Sequence, residues 1–240
     1  MNKIRTVSDT KRAFYNIHTR PVNSIYRRVV EELMVEMHLL SVNVDFQYDP
    51  IYALGVVTAF DRLMVGYRPE TDKESIFNAL IQAQQSDPQH YREAAQRLEE
   101  QGKAISVETL TTWAEQSVLH GEGSELQQQF HAIANHDKFK YSRLFAIGLY
   151  RLLELVNAET VENKEAREKA LSAMATGLKL SQEKLLKDIE MYRSNIDKMV
   201  QAQNLMQEMT EAERKKRAER QQAKAATTAT ESEPSEPANS

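Results

Sequence analysis

Two stretches of the chain, residues 51–65 and 141–156, are apolar on nearly every side when wound as helices. A helix of that kind has no face to give to water and belongs at the centre of a bundle. Each stretch contains one glycine, Gly55 and Gly148, a residue that weakens a helix but lets a second backbone come close. These two helices are therefore the expected core, placed so that they can touch. Their most apolar runs, residues 52–60 and 144–150, fall far short of the roughly 20 residues needed to cross a bilayer.

Helix punctuation recurs on either side of them. Ser8 can cap a short helix through Ile17, and Pro21 suits the first turn of a second helix running to about Leu40. In that second helix Val22, Ile25, Val29, Leu33, Met37 and Leu40 form an apolar stripe. Arg27 with Glu31, and Arg28 with Glu32, stand as oppositely charged i,i+4 pairs on the other side. Asp49-Pro50 opens the first apolar helix, which is expected to end at Gly66. Thr71 with Glu74, and Ser124 with Gln127, have capping-box spacing. Asp87-Pro88 starts another helix fading near Gly102, and Ser106 can cap the one that holds Trp113. Residues 41–48 alternate like a strand, but a single short strand has no partner for its backbone, so an ordered loop is expected there.

After Gly177, a candidate helix stop, Ser181 can cap a helix reaching about Lys224, roughly 60 Å long at 1.5 Å per residue. Leu185, Ile189, Tyr192, Ile196, Met199, Gln203 and Met206 alternate spacings of four and three, which is a heptad seam. The expectation is packing on the body for Leu185 to Ile196 and exposure from Met199 onward. Residues 211–220 are almost purely charged, and residues 225–240 are rich in Ala, Thr, Ser, Glu and Pro, a composition that favours disorder. The sequence thus predicts an all-α protein. It divides into a compact helical bundle (residues 1–180), a long projecting C-terminal helix (181–224) and a disordered tail (225–240).

Composition narrows the chemistry. The absence of cysteine removes disulfides, thiolate metal sites and cysteine nucleophiles together. A mean hydropathy of −0.60 marks a chain with much solvated surface. The first 30 residues carry seven cations against Asp9 alone, a net of +6 that leaves −10 for the remainder. Lys11, Arg12, Arg20, Arg27 and Arg28 are a candidate patch for a membrane surface or a partner. Overall acidity and the lack of interleaved aromatic residues argue against nucleic acid.

No catalytic, cofactor or metal site is expected. A di-iron bundle needs Glu-x-x-His on two helices, yet no histidine here has Glu three residues before it. No two histidines lie four apart, so the zinc-protease helix is absent too. His131, His136 and Asp137 could converge only around a sharp turn. Gly121-Glu122-Gly123 has no preceding strand and no following lysine, and reads as an interhelical turn rather than a phosphate cradle. Glu32 and Glu36, one turn apart, read as salt-bridged surface rather than an acid–base pair. The methionines of the last helix offer an adaptable apolar surface, which makes Ile196, Met199, Met206 and Met209 the candidate partner-binding residues.

Three strings carry a resemblance: VSDTKRAFYNIHTRPVNSIYRRVVEELMVEMHLL at 7–40, FQYDPIYALGVVTAFDRLMVGYRP at 46–69 and FKYSRLFAIGLYRLLE at 139–154. Together, and in this order, they resemble the thylakoid formation protein family of cyanobacteria and chloroplasts, with the match extending over most of residues 7 to about 200. The resemblance implies an all-helical, membrane-peripheral and non-enzymatic factor without a cofactor, supporting photosystem II biogenesis and repair. It also implies partners: the FtsH-type thylakoid protease complex, which such a factor stabilises, and photosystem II assembly components. With the first motif beginning at Val7, the expected form is cyanobacterial, peripheral on the cytoplasmic side of the thylakoid membrane and partly soluble in the cytoplasm. The alternative expectation is a peripheral lipid-binding protein acting through the basic N-terminal patch. The tail beyond about Thr210 matches nothing in the family pattern.

Overall fold

The structure, a computed structural model, describes residues 5–115 and 123–230. Among them are eleven helices and no strand: α1 (Val7–Ile17), α2 (Ser24–Ser41), α3 (Pro50–Leu63), α4 (Thr71–Gln82), α5 (Pro88–Lys103), α6 (Val107–Glu115), α7 (Glu125–Ala134), α8 (Arg143–Val156), α9 (Ala158–Glu162), α10 (Lys164–Gly177) and α11 (Gln182–Thr230). Two compact units are distinguished, residues 1–196 and 197–240. The all-α expectation is met, with the long C-terminal helix in place.

The first unit is built around α3 and α8, the two all-apolar segments, which pack on each other more extensively than any other pair. Every residue from Ile51 to Phe60 is buried. The reason they meet so closely is the glycine in each. A methyl group on Gly55 would lie 1.7 Å from the Leu144 carbonyl oxygen, and one on Gly148 would lie 2.0 Å from that of Ile51. Only hydrogen fits at either place. Asp49 caps α3 by accepting from the Tyr52 amide at 2.8 Å, and Ser142 caps α8 by accepting from Phe145 at 3.0 Å. α5 covers the pair from one side.

Around this crossing the sequence reading holds for most element limits and fails at several caps. Asp87, Ser106 and Ser181 cap as expected, each accepting from an amide two or three residues on. α1 is capped by Thr6 rather than Ser8, because Thr6 and Asp9 bond reciprocally and close a capping box. Pro21 lies in the connection, and Asn23 caps α2 instead. Thr71 makes no cap. The turn into α4 satisfies its first amides with the Pro69 and Glu70 carbonyls, and Ser124 supplies only the forward half of its box. α3 stops at Leu63, short of Gly66, whose positive φ of 76° serves the turn that follows. The buried stripe of α2 is Tyr26, Val30, Leu33, Met37 and Leu40, with Ile25 and Val29 only half-buried, because α1 and α3 both press on it. Residues 42–49 are irregular, as expected.

α10 does end at Gly177, but its missing side chain answers to packing: a methyl there would meet the Ala114 carbonyl oxygen at 2.0 Å. α11 runs to Thr230, so the tail expected from Ala225 is helical for its first residues, and residues 231–240 lie outside those described.

Gly55→Ala and Gly148→Ala should each destabilise the protein by about 3 kcal/mol or more, since backbone must move to admit the methyl. Gly102→Ala, where the nearest atoms would be side-chain carbons at 3.5 Å, should be neutral or stabilising by up to about 1 kcal/mol. Denaturant melts of the three variants decide this, and an unchanged midpoint for Gly55→Ala would contradict the crossing.

Candidate interaction surfaces

The outward side of α2 forms one wall of a groove of about 1000 Å³, completed by the start of α8 and the first turns of α11. Val35, Leu39 and Met191 line it and are 38%, 58% and 42% exposed, large values for apolar side chains on a folded body. Charges of both signs surround them, among them Arg27, Arg28, Lys184 and Asp188. Tyr141 donates to Asp188 at 2.8 Å while the Lys184 ammonium lies 4.9 Å from the centre of the Tyr141 ring, which ties α11 to the start of α8.

Glu36 is not the solvated carboxylate expected from the sequence. It is largely buried and accepts from Arg143 Nε and Nη2 at 3.1 and 2.5 Å, joining α2 to α8. Burial pushes its carboxyl above the usual range, with Arg143 pulling the other way. Glu32 pairs with Arg28 at 2.9 Å, so the two glutamates have separate partners and form no pair.

The structure divides the five N-terminal cations among different acids. Lys11 pairs with Glu31 at 2.9 Å, Arg12 with Asp9 at 3.9 Å, Arg20 with the buried Asp72 at 2.5 Å and Arg28 with Glu32. Arg27, expected to pair with Glu31, makes no ion pair among the described residues, because Lys11 from α1 takes that carboxylate and holds it below its usual range by a direct hydrogen bond. Lys11 and Arg27 thus converge near Glu31, whereas Arg12 and Arg20 answer to α1 and α4.

The heptad seam of α11 changes character along its length. Leu185, Ile189 and Tyr192 are at most 3% exposed, and Tyr192 meets Tyr150 edge-to-face at 6.0 Å. Ile196 is half-buried. In the second unit Met199 and Gln203 are half-buried, while Met206 and Met209 are 41% and 64% exposed.

Other candidates gain nothing from the fold. Among the described residues no three His, Asp or Glu side chains are grouped to hold a metal ion, although the chain does turn between α7 and His136. Gly121 and Glu122 lie outside the described residues. Sequence reasoning missed an interior charge network in which Arg62 of α3 and Arg151 of α8 share Glu154, and Arg151 also bonds Glu99 of α5 at 2.9 Å. It also gave Asp49 no role beyond its cap. Burial drives the Asp49 carboxyl up to about 7, against which the backbone amides of Ile51 and Tyr52 pull only partway. No helix among the described residues is long and apolar enough to cross a membrane.

Comparison with known proteins places these surfaces in a family. The family model described as "Thylakoid formation protein" matches residues 6–221. Protein Thf1 of Nostoc punctiforme is 59% identical over 215 residues, covering 90% of this chain and 92% of that protein. Protein Thf1 of Acaryochloris marina is 54% identical, covering 90% and 87%. A solved structure of Psb29 superposes with a TM-score of 0.77 at 44% identity, covering 89% of this chain and 99% of its own.

The raised Asp49 carboxyl sets a pH dependence. The folded state holds a proton that the unfolded chain releases above its ordinary value of 3.8, so this group's contribution is greatest below about pH 4. It declines as pH rises toward 7 and is flat beyond. Asp49→Asn keeps an acceptor for the Tyr52 amide without the charge, and should gain stability relative to the parent across that window. Melting midpoints at pH 4 and pH 8 test it, and a constant difference between the two proteins would refute the assignment.

Proposed function

The chain belongs to the thylakoid formation protein family, and from that premise we propose a non-catalytic factor in photosystem II biogenesis and repair that works by binding and stabilising an FtsH-type thylakoid protease complex. A role in thylakoid formation comes with the family, whose description is not that of an enzyme. The cyanobacterial relatives favour a site of action at the thylakoid membrane, on its cytoplasmic side.

One observation carries the binding reading. The seam that is buried at Leu185, Ile189 and Tyr192 continues in register through the half-buried Ile196 and Met199 to Met206, which lies open. A heptad pattern sustained past the point where the protein uses it internally supports a face kept for a partner helix or groove. Methionine at 199 and 206 suits such a face, being unbranched and able to conform to an uneven surface. Ile196, Met199 and Met206 are the residues we assign to the contact, and Met209, also expected there, stands off the seam. The groove beside Arg27, Arg28, Val35 and Leu39 is a second surface open to the same assembly.

The rival reading, lipid binding through the basic N-terminus, draws less support. Four of its five cations already have carboxylate partners. An exposed ion pair is only weakly stabilising, but its neutralised charge attracts anionic lipid less than a free one does.

Met199→Asp with Met206→Asp should lower recovery of the protein with the FtsH-type protease from solubilised thylakoid membranes by about tenfold or more, the effect expected for a contact residue at the centre of an interface. Thermal melting of the purified variant should be unchanged. Undiminished co-isolation would sink the assignment to this helix.

A further inference from the structure

Leu205 is 58% exposed and lies off the heptad seam, so a partner taken up by that seam leaves it uncovered. Counting from it by alternating fours and threes, the same side of α11 carries Lys198, Ala202, Leu205, Met209, Ala212 and Lys216. That spacing keeps residues in one row along a helix. Between Lys198 and Lys216 the row is apolar in its middle, cationic at both ends and free of acid. The row next to it, by the same count, is Asp197, Gln201, Asn204, Glu208, Glu211 and Lys215, and it holds three of the four acids between Asp197 and Arg217. Of the other acids, Glu213 stands in line with the seam, where Arg217 follows it, and Glu219 is the next step of the Leu205 row.

The cations here also differ from those at the N-terminus. Arg214, Lys215, Lys216 and Arg217 are consecutive and exposed, and neither they nor Lys198 make an ion pair among the described residues. Like charges so close together raise one another's energy and favour an anionic surface over water.

We propose that this row docks the protein on an anionic lipid surface. Leu205 and Met209 enter the boundary between headgroups and acyl chains, and Lys198 and Lys216 meet the phosphates. A helix with an apolar strip bounded by cations and with its acids turned aside has the pattern of one lying in a membrane interface. A nucleic acid would satisfy the cations and leave Leu205 and Met209 in water. A second copy aligned in parallel would set each cationic run against its duplicate. Lipid accounts for both features at once. The seam residues Met199 and Met206 stay available, so lipid and the protein partner of the preceding section occupy different rows. The inference rests on that section only for the presence of a membrane.

The test is flotation of the full-length protein with vesicles of phosphatidylcholine mixed with phosphatidylglycerol, and of phosphatidylcholine alone. The parent protein should float with the mixed vesicles only, and less so as salt is raised. Leu205→Ser with Met209→Ser, and separately Lys198→Gln with Lys216→Gln, should each reduce the bound fraction by about tenfold or more. All four side chains are exposed, so melting should confirm an intact fold in both variants. Met199→Asp with Met206→Asp should lose the protease and keep the vesicles.

Several results would overturn the proposal. One is no vesicle binding by the parent, and another is equal binding to neutral vesicles. A third is loss through the cation variant alone, which would mean adsorption without an inserted face. Retention on a DNA oligonucleotide but not on vesicles would give the cations to nucleic acid. Loss through Arg27→Glu with Arg28→Glu, the α11 variants binding normally, would move the lipid contact to the N-terminus. Failure to bind vesicles with protease recovery intact defeats this proposal and leaves the preceding one standing.

Discussion

The crossing of α3 and α8 is a contact of backbone with backbone. With Gly55 and Gly148 facing the opposite chain, carbonyl groups of Leu144 and Ile51 occupy the space where side chains would ordinarily stand. Two consequences follow from so short a separation. The helices bury nearly their whole circumference, so neither can be amphipathic, and the elements around them must supply every solvated face. The crossing also tolerates no increase in volume, so the positions of α5 and α2, and of the first turns of α11, are set by a rigid centre.

The charged network beside that centre makes the arrangement specific. Arg62, Glu154, Arg151 and Glu99 come from α3, α8 and α5 and are each roughly a quarter exposed. Ionic groups so placed gain little net stability over apolar replacements, yet removing one strands its partner. The pattern therefore penalises a slipped register of α8 more than it rewards the native one. Glu36 with Arg143 repeats the device at the other end of α8, where α2 is joined to it. Interior arginine–carboxylate pairs thus fix the orientation of helices whose apolar surfaces alone would pack in several ways.

Much of this could be read from sequence, and the failures have a common cause. The apolar helices and their glycines, the aspartates before proline, and the seam of α11 are local patterns, and local patterns are what a sequence displays. The caps that failed were those where two local solutions competed: Thr6 over Ser8, Asn23 over Pro21, backbone carbonyls over Thr71. The charge pairs failed for a different reason. Lys11 lies twenty residues from Glu31, and Arg143 is separated from Glu36 by more than a hundred. No spacing rule predicts such pairs, so an i,i+4 reading gave Glu31 to Arg27 and left Glu36 in water. Leu205 was hidden in another way. A search for one periodic row finds the seam and stops, although a helix has room for a second row beside it.

Charge placement in the two units then separates structural from available groups. In the first unit the basic N-terminus meets acids of α1, α2 and α4, and the −10 of the rest of the chain is partly spent on that neutralisation. In the second unit most of the acids between Asp197 and Arg217 occupy one row of α11, and the consecutive cations at 214–217 make no ion pair among the described residues. The apolar residues show the same division, with Leu185, Ile189 and Tyr192 enclosed and Val200, Leu205, Met206 and Met209 open to water. Stability argues for the first arrangement everywhere, since an exposed leucine and an unpaired cation contribute nothing to the fold. A single helix that follows the rule up to Tyr192 and departs from it in both apolar and ionic terms beyond Ile196 is one whose second half is shaped by what it binds.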